Sequence, residues 1–324
     1  MSPKLKKIYD FLYSYEQVYV FEQEKRPKGG RKRTYTHSSF IIFFISMFLN
    51  RIFSYKKMAR EAKKDFAKYG FPQAPSRKTI RERFKQLPPV LMHIMTEIAK
   101  YCYQKICHKP CNIKCLFSDK SIFRAKGGLW HKKHIKAGVV PHPSIDTEAT
   151  WAFSPYHKWR FGYALLIMVN QHRFPVVAIA DTAILNEPQS ITTMIERIYR
   201  NVGIIVGDAA YKVYDVIKKL YFEYNILLQV RDQIKDKTMQ WYRKLIHTPQ
   251  ALWTYCKRKP SVEPTFALIK ELFSLHGESQ LPFKGKKYVV PFLLITAITI
   301  QLMAVFNFFN QRGLGYTHDF CDLF

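Results

Sequence analysis

Two short apolar runs in this chain each end in an aspartate: Leu116-Phe117-Ser118-Asp119 and Ile204-Ile205-Val206-Gly207-Asp208. Runs of this length and character read as core strands, so the chain must build a sheet and deliver an acid from each strand to the sheet edge. A third acid, Glu263, opens an amphipathic helix in which Ser261 is the expected cap and Gly277 the expected stop. That places Glu263 in the first turn, with Lys270 two turns along the same face. The chain has only 24 acidic residues against 52 basic ones. A carboxylate at the end of a buried strand therefore needs a reason, and an oxygen ligand for a hard cation is one.

The hydrophobic period divides the chain. Residues 1 to 112 carry helical spacing, through Ile8, Phe11 and Leu12, then Phe40 to Leu49, Met58 to Phe66, Ile80 to Leu87 and Leu91 to Ile106. Breaks fall at Pro27-Lys28-Gly29-Gly30, Gly70-Phe71-Pro72 and Pro88-Pro89. From 113 to 311 the pattern is α/β. Strands are expected at Ile113–Ser118, Phe161–Asn170, Pro175–Ala180, Val202–Gly207 and Ile226–Val230, and a helix over Tyr211–Glu223 closes a βαβ unit. A polar, basic insertion is expected over 231–258, and a tail over 312–324.

The formal net charge is +28. Such a chain should bind a polyanion, because neutralising phosphates with Lys and Arg releases condensed counterions; an anionic membrane surface would satisfy the charge as well. The N-terminus lacks the apolar run of a secretory signal, which makes a cytoplasmic, nucleoid-associated location the expectation. The apolar stretch Val289–Phe309 contains Pro291, Thr296, Thr299, Gln301 and Asn307, and reads as a buried C-terminal helix rather than a membrane span. Within the helical region, residues 54–86 fit a helix-turn-helix, with Ser76 as cap and Arg77, Lys78 and Arg81 facing a groove. Lys25–Arg33 has six basic residues in nine, among them Lys28 and Arg31, and fits a phosphate-binding arm or a solvated loop. The cluster Cys102-x4-Cys107-His108-x2-Cys111-x3-Cys115 offers zinc ligands but lacks paired Cys-x2-Cys knuckles, so reduced thiols packed as small hydrophobes are the plainer expectation.

Phosphodiester cleavage with Mg²⁺ uses two ions roughly 4 Å apart, held by a few carboxylates and the substrate phosphate. Asp119, Asp208 and Glu263 have the distribution that brings distant acids to one sheet edge. Asp181 also ends an apolar run, and Asp146 beside Glu148 is a further rival. His131 and His134 fit a basic loop better than a metal site, and of Trp130, Trp159, Trp241 and Trp253, Trp241 is the one expected to escape core packing and to stack on a flipped base.

Four ordered stretches carry a resemblance: Phe117-Ser118-Asp119; Asp146-Thr147-Glu148-Ala149-Thr150-Trp151 leading to Trp159-Arg160-Phe161-Gly162-Tyr163; Val206-Gly207-Asp208-Ala209-Ala210-Tyr211; and Tyr255-x2-Arg258-x4-Glu263-x6-Lys270. They span about 150 residues, and the chain resembles the DDE transposases of prokaryotic insertion sequences. The resemblance implies an RNase H-like catalytic domain, a mixed sheet flanked by helices, behind a mostly α-helical DNA-binding region. It implies Asp119, Asp208 and Glu263 as catalytic metal ligands for Mg²⁺, with Mn²⁺ as substitute and two ions per site. Arg258, Lys270 and Tyr255 would contact double-stranded DNA at the transposon end, and paired ends imply a homodimer. The family's usual spacing is Tyr-x2-Arg-x3-Glu-x6-Lys; here Arg258 to Glu263 is one residue longer, and Lys259 stands in the usual basic register. The implied activity is end cleavage followed by strand transfer of the 3′-hydroxyl. The alternative is a domesticated or inactive relative that binds DNA without cutting.

Overall fold

The longest strand of the protein runs antiparallel to the strand that carries Asp119, and this pair is the spine of the sheet. In the computed structural model, which describes residues 1–23, 34–102, 114–154, 158–196, 198–231, 236–313 and 315–324, six strands form one mixed sheet. They are β1 (Cys115–Arg124), β2 (Thr150–Ser154), β3 (Lys158–Asn170), β4 (Pro175–Thr182), β5 (Ile204–Val206) and β6 (Leu227–Gln229). β3 pairs antiparallel with both β1 and β4, while β5 lies parallel to β1 and β6 parallel to β5. This is the RNase H-like arrangement that the resemblance implies. β2 pairs with the outer end of β3, Ser154 opposite Lys158 and Thr150 opposite Gly162.

Among the described residues, four α-helices precede the sheet: α1 (Pro3–Gln23), α2 (His37–Leu49), α3 (Tyr55–Lys64) and α4 (Arg77–Tyr101). α2 is apolar and almost wholly buried, so its orphan N-terminal donors need a buried acceptor. Glu16 of α1 supplies it: its carboxylate accepts from the His37 and Ser38 amides at 2.7 and 2.8 Å and from Ser38 Oγ at 2.6 Å. Ser76 caps α4 as expected, accepting from the Thr79 amide at 3.1 Å. Arg77, Lys78 and Arg81 are exposed in its first turns, and Arg81 Nε donates to Tyr288 Oη at 2.6 Å. From Ile80 onward α4 buries one face against α11 (Lys286–Phe309) and β4.

The remaining helices are α5 (Lys132–Lys136), α6 (Glu187–Ile195), α7 (Tyr214–Tyr224), α8 (Gln240–Ile246), α9 (Pro249–Cys256), α10 (Arg258–Leu272) and α12 (His318–Cys321). The expected buried C-terminal helix is α11. Its polar residues have partners inside the protein: Gln301 Nε2 donates to Met95 O at 2.8 Å and Pro175 O at 2.9 Å, and Thr296 and Thr299 donate to carbonyls of their own helix. An aromatic cluster then joins the regions. Phe48 lies 5.7 Å from Phe84, 5.6 Å from Phe283 and 5.1 Å from Phe292, so the N-terminal helices and α11 share one core. Phe324 O accepts from Ser46 Oγ at 3.1 Å and Lys68 Nζ at 3.0 Å, which folds the last residues back onto the N-terminal helices.

Several boundaries differ from the sequence expectation. β1 continues past Asp119 to Arg124 because β3 pairs with it without interruption, Leu116 opposite Asn170 through Arg124 opposite Gly162. Asp119 therefore lies within a central strand and not at its end. β2 was not anticipated. The helix carrying Glu263 begins at Arg258, not at Ser261, which is buried within it; Glu263 sits in the second turn. The 231–258 stretch contains α8 and α9, tied to the sheet by Tyr242 Oη donating to Leu228 O and Gln229 Nε2 donating to Ala251 O.

Candidate active site

Parallel pairing of β1 and β5 stops at Phe117 opposite Val206. Beyond that point the two chains diverge, and each carries its aspartate two residues on: Asp119 within β1 and Asp208 in the turn after β5. The turn is tight. A Cβ on Gly207 would come within 2.5 Å of the Tyr211 ring, so only glycine fits there. Asp208 caps the short 3₁₀ turn Ala209–Tyr211, its carboxylate accepting from the Ala210 amide at 2.8 Å. Tyr211 then plunges inward, wholly buried, with its hydroxyl 3.0 Å from Ser118 Oγ on the face of β1 opposite Asp119. Burial, and next to it the Glu187 charge, holds this phenol well above its ordinary range.

Asp119 is the most perturbed carboxyl of the site. Burial pushes its pKa up to about 6, the Arg258 guanidinium and the Lys120 amide pull it back, and Asp208 and Glu187 raise it again. The Asp208 carboxylate is thus within electrostatic reach of Asp119. Arg258 Nη1 lies 3.2 Å from Asp119 Oδ2, and the Lys120 amide donates to Asp119 Oδ1 at 2.9 Å. On the other face of β1, Lys120 Nζ sits 2.9 Å from Glu187 Oε1 and donates to Leu185 O at 3.1 Å, which clamps β1 to the start of α6. Lys270 is half-buried 6.0 Å from the Phe123 ring centroid; burial and the Arg160 charge lower its pKa while Asp119 opposes them.

α10 presents these groups in a definite phase. Arg258, Val262, Thr265 and Ile269 follow the i, i+4, i+7, i+11 rule, with Val262, Thr265 and Ile269 buried against the sheet. The extra residue between Arg258 and Glu263 rotates the acid about 100° from that stripe. Glu263 is accordingly exposed, and the fully buried Val262 stands where the usual family spacing would put the acid. The structure thus brings Asp119, Asp208 and Arg258 together, while Glu263 and Lys270, seven residues apart, share another side of α10 on which Glu263 is exposed and Lys270 half-buried within reach of the Asp119 charge. Among the described residues no three of His, Cys, Asp and Glu are grouped to hold a metal. The aspartate pair on its own suits a hard cation: two oxygen donors, one of them desolvated, with Arg258 providing the positive charge at Asp119.

The rival acids have structural work. Asp146 is fully buried and accepts from Tyr163 Oη at 3.0 Å, the Gly285 amide at 2.8 Å and the Glu148 amide at 3.1 Å, so it fastens the loop before β2 to the start of α11. Asp181 pairs with Lys286 Nζ at 2.7 Å. Tyr255 is half-buried on α9. Lys28, Arg31 and the Cys107, His108 and Cys111 members of the cysteine cluster lie outside the described residues, while Cys102 is buried and Cys115 half-buried. The tryptophan expectation is reversed: Trp241 is packed 4.8 Å from Tyr221 and 5.2 Å from Phe222, whereas Trp159 and Trp253 are exposed. Packing by α7 accounts for it, since Tyr221 and Phe222 both belong to that helix. Sequence reading missed Lys120 and Glu187. The only trace was an acid in the first turn of a helix, which the helix dipole explains without any site.

Among solved structures, the piggyBac transposase synaptic complex with hairpin DNA is similar over 98% of this chain and 76% of its own, at 11% identity and a TM-score of 0.43. The Mos1 strand transfer complex is similar over 80% of this chain and 84% of its own, at 8% identity and a TM-score of 0.21. Comparison with curated proteins finds no match. The sequence model of the transposase DDE domain matches residues 119–279. That span opens on Asp119 itself and encloses Asp208, Arg258, Glu263 and Lys270, so the chain belongs to the DDE transposases.

Proposed function

We propose that the protein cleaves double-stranded DNA at the ends of its own element and joins the freed 3′-hydroxyl to target DNA, with Asp119, Asp208 and Glu263 as the acidic triad. The observation that carries this reading is the Asp119–Asp208 pair beyond the end of the β1–β5 pairing, with Arg258 drawn to 3.2 Å from the first acid. Divalent cations, Mg²⁺ or Mn²⁺, bound between these acids and the scissile phosphate would supply Lewis acidity and a more acidic attacking hydroxyl. Asp119 contributes a carboxylate whose desolvation strengthens its hold on any cation, and Arg258 keeps part of that carboxylate charged until then. Lys270, half-buried beside Phe123, would take a backbone phosphate as a point charge. Arg77, Lys78 and Arg81 on the exposed start of α4 give a second basic surface for the duplex, and a homodimer would hold two ends together.

The test is cleavage of duplexes bearing the inverted repeats that flank the gene. Asp208→Ala should lower Mg²⁺-dependent cleavage by at least about a hundredfold, the range seen on removing one transition-state-stabilising group, while DNA binding stays within twofold. Full cleavage by that variant would remove the triad. That Glu263 is not grouped with the two aspartates among the described residues favours a second reading, a chain that binds ends without cutting. Tight binding by the wild type with no nicking in Mg²⁺ or Mn²⁺ would select it.

A further inference from the structure

Side chains alternate across a strand, so the unbroken β1–β3 register assigns faces over the whole pair. Asp119 lies opposite Ile167, and every odd-numbered residue of β3 shares its face: Leu165, Tyr163, Phe161 and Trp159. β2 continues the pattern, with Trp151 opposite Phe161 and Phe153 opposite Trp159. The catalytic face of the sheet therefore extends into a stripe of five aromatic side chains, Tyr163, Phe161, Trp151, Trp159 and Phe153. Its inner end is covered: Phe161 is buried, Trp151 lies 5.3 Å from it, and the His131 ring stacks on Trp151 at 4.6 Å and 22°. Its outer end is bare. Phe153 is 55% exposed and Trp159 64%, and the two rings meet edge to face at 5.7 Å.

Two exposed rings in contact make an apolar patch rather than a lone exposed residue, and patches are what mark binding surfaces. The charge around them says which partner. Lys133 and Lys136 of α5, the helix that directly follows His131, are exposed, and so is Lys158, next to Trp159 in sequence though on the other face of β3. No acidic residue occurs between Asp119 and Asp146. An aromatic stripe on the face of the catalytic acid, in a chain of net charge +28, matches nucleobases beside a phosphate backbone, and base–aromatic stacking tolerates any sequence.

We infer that Phe153 and Trp159 form a stacking site for unpaired or unstacked bases of the DNA held at the active site. The inference rests on the transposase reading and extends it. Trp159 stands eight residues along β3 from the partner of Asp119, about 26 Å at the rise of a strand, which is the length of roughly eight stacked bases. The site thus grips DNA away from the scissile phosphate.

Binding of 30-base-pair duplexes with and without one bulged base about eight positions from one end, in the absence of divalent cation, tests it by fluorescence anisotropy. The wild type should prefer the bulged duplex by about tenfold, the lower range of a single base stack. The Phe153→Ala, Trp159→Ala double variant should lose that preference and keep its affinity for the fully paired duplex. Both positions are exposed, and far-UV circular dichroism checks that the fold is retained. A wild type that binds both duplexes equally, or a variant that keeps the preference, overturns the stacking site and leaves the transposase reading intact. A wild type that binds neither duplex removes both. A double variant whose sedimentation shows a smaller assembly than the wild type, with its bulge preference unchanged, makes the stripe a contact between copies of this chain and overturns the inference.

Discussion

Asp119 shows how one residue's environment sets a pH range for the whole site. Its ordinary carboxyl pKa near 3.8 is raised to about 6, chiefly by burial. A raised pKa means that the folded protein holds this proton more tightly than the unfolded chain does. The stabilisation is complete below the unfolded value and is lost as pH rises through about 6. Above that pH the ionised carboxylate is costly unless a cation meets it. Added Mg²⁺ should therefore raise the melting temperature clearly at pH 8 and little at pH 5, because binding below the pKa must displace a proton. Differential scanning fluorimetry with Mg²⁺ and with EDTA at the two pH values measures this, and an equal Mg²⁺ shift at both would mean that Asp119 takes no part. Arg258 lowers the same pKa, so Arg258→Ala should move the midpoint of the Mg²⁺ effect to higher pH.

At the scale of elements, the site depends on where short segments end. β5 is three residues long, and Gly207 lets the chain turn so that Asp208 reaches the same opening as Asp119. Gly207→Ala sets a methyl against the Tyr211 ring, and Tyr211 cannot withdraw without leaving Ser118. The expected cost is about 1–3 kcal/mol of stability, as for other overpacked positions, with a larger fractional loss of cleavage because Asp208 moves with the turn. Urea unfolding together with the cleavage assay distinguishes the two; unchanged stability would mean that the turn relaxes freely. Much of this was legible beforehand. Asp208 at the close of an apolar run was readable, as were five of the six strands, but the helix expected from Tyr211 begins at Tyr214 because the 3₁₀ turn Ala209–Tyr211 first buries the Tyr211 ring. The true length of β1 was not, because Lys120 and Ser121 break its apolar pattern and only pairing with β3 and the buried Lys120–Glu187 contact hold them in a strand. Nor was the start of α10, since Pro260 is tolerated in a first helical turn and Ser261 is buried by neighbours that sequence spacing does not show.

For the whole molecule, the aromatic cluster around Phe48 unites regions that the sequence period separates. Phe48→Ala removes contacts to Phe84, Phe283 and Phe292 at once, and should cost about 3–5 kcal/mol, the usual range for a buried phenylalanine. If the N-terminal helices and the sheet share one core, circular dichroism and tryptophan fluorescence should report one lowered transition. Two separate transitions would show that the helical region unfolds independently. Sequence alone determined what is local or periodic: the change from helical to strand spacing, the apolar run of α11, the aspartate-ended strands and the strong positive charge. These depend on residues close together in the chain. Tertiary structure alone decided the direction of Glu263, the withdrawal of Asp146 and Asp181 into structural contacts, and the extension of an aromatic stripe from the catalytic face. Each of those depends on helix phase or strand register between segments far apart in sequence, and one residue of shift in either turns a side chain to another face.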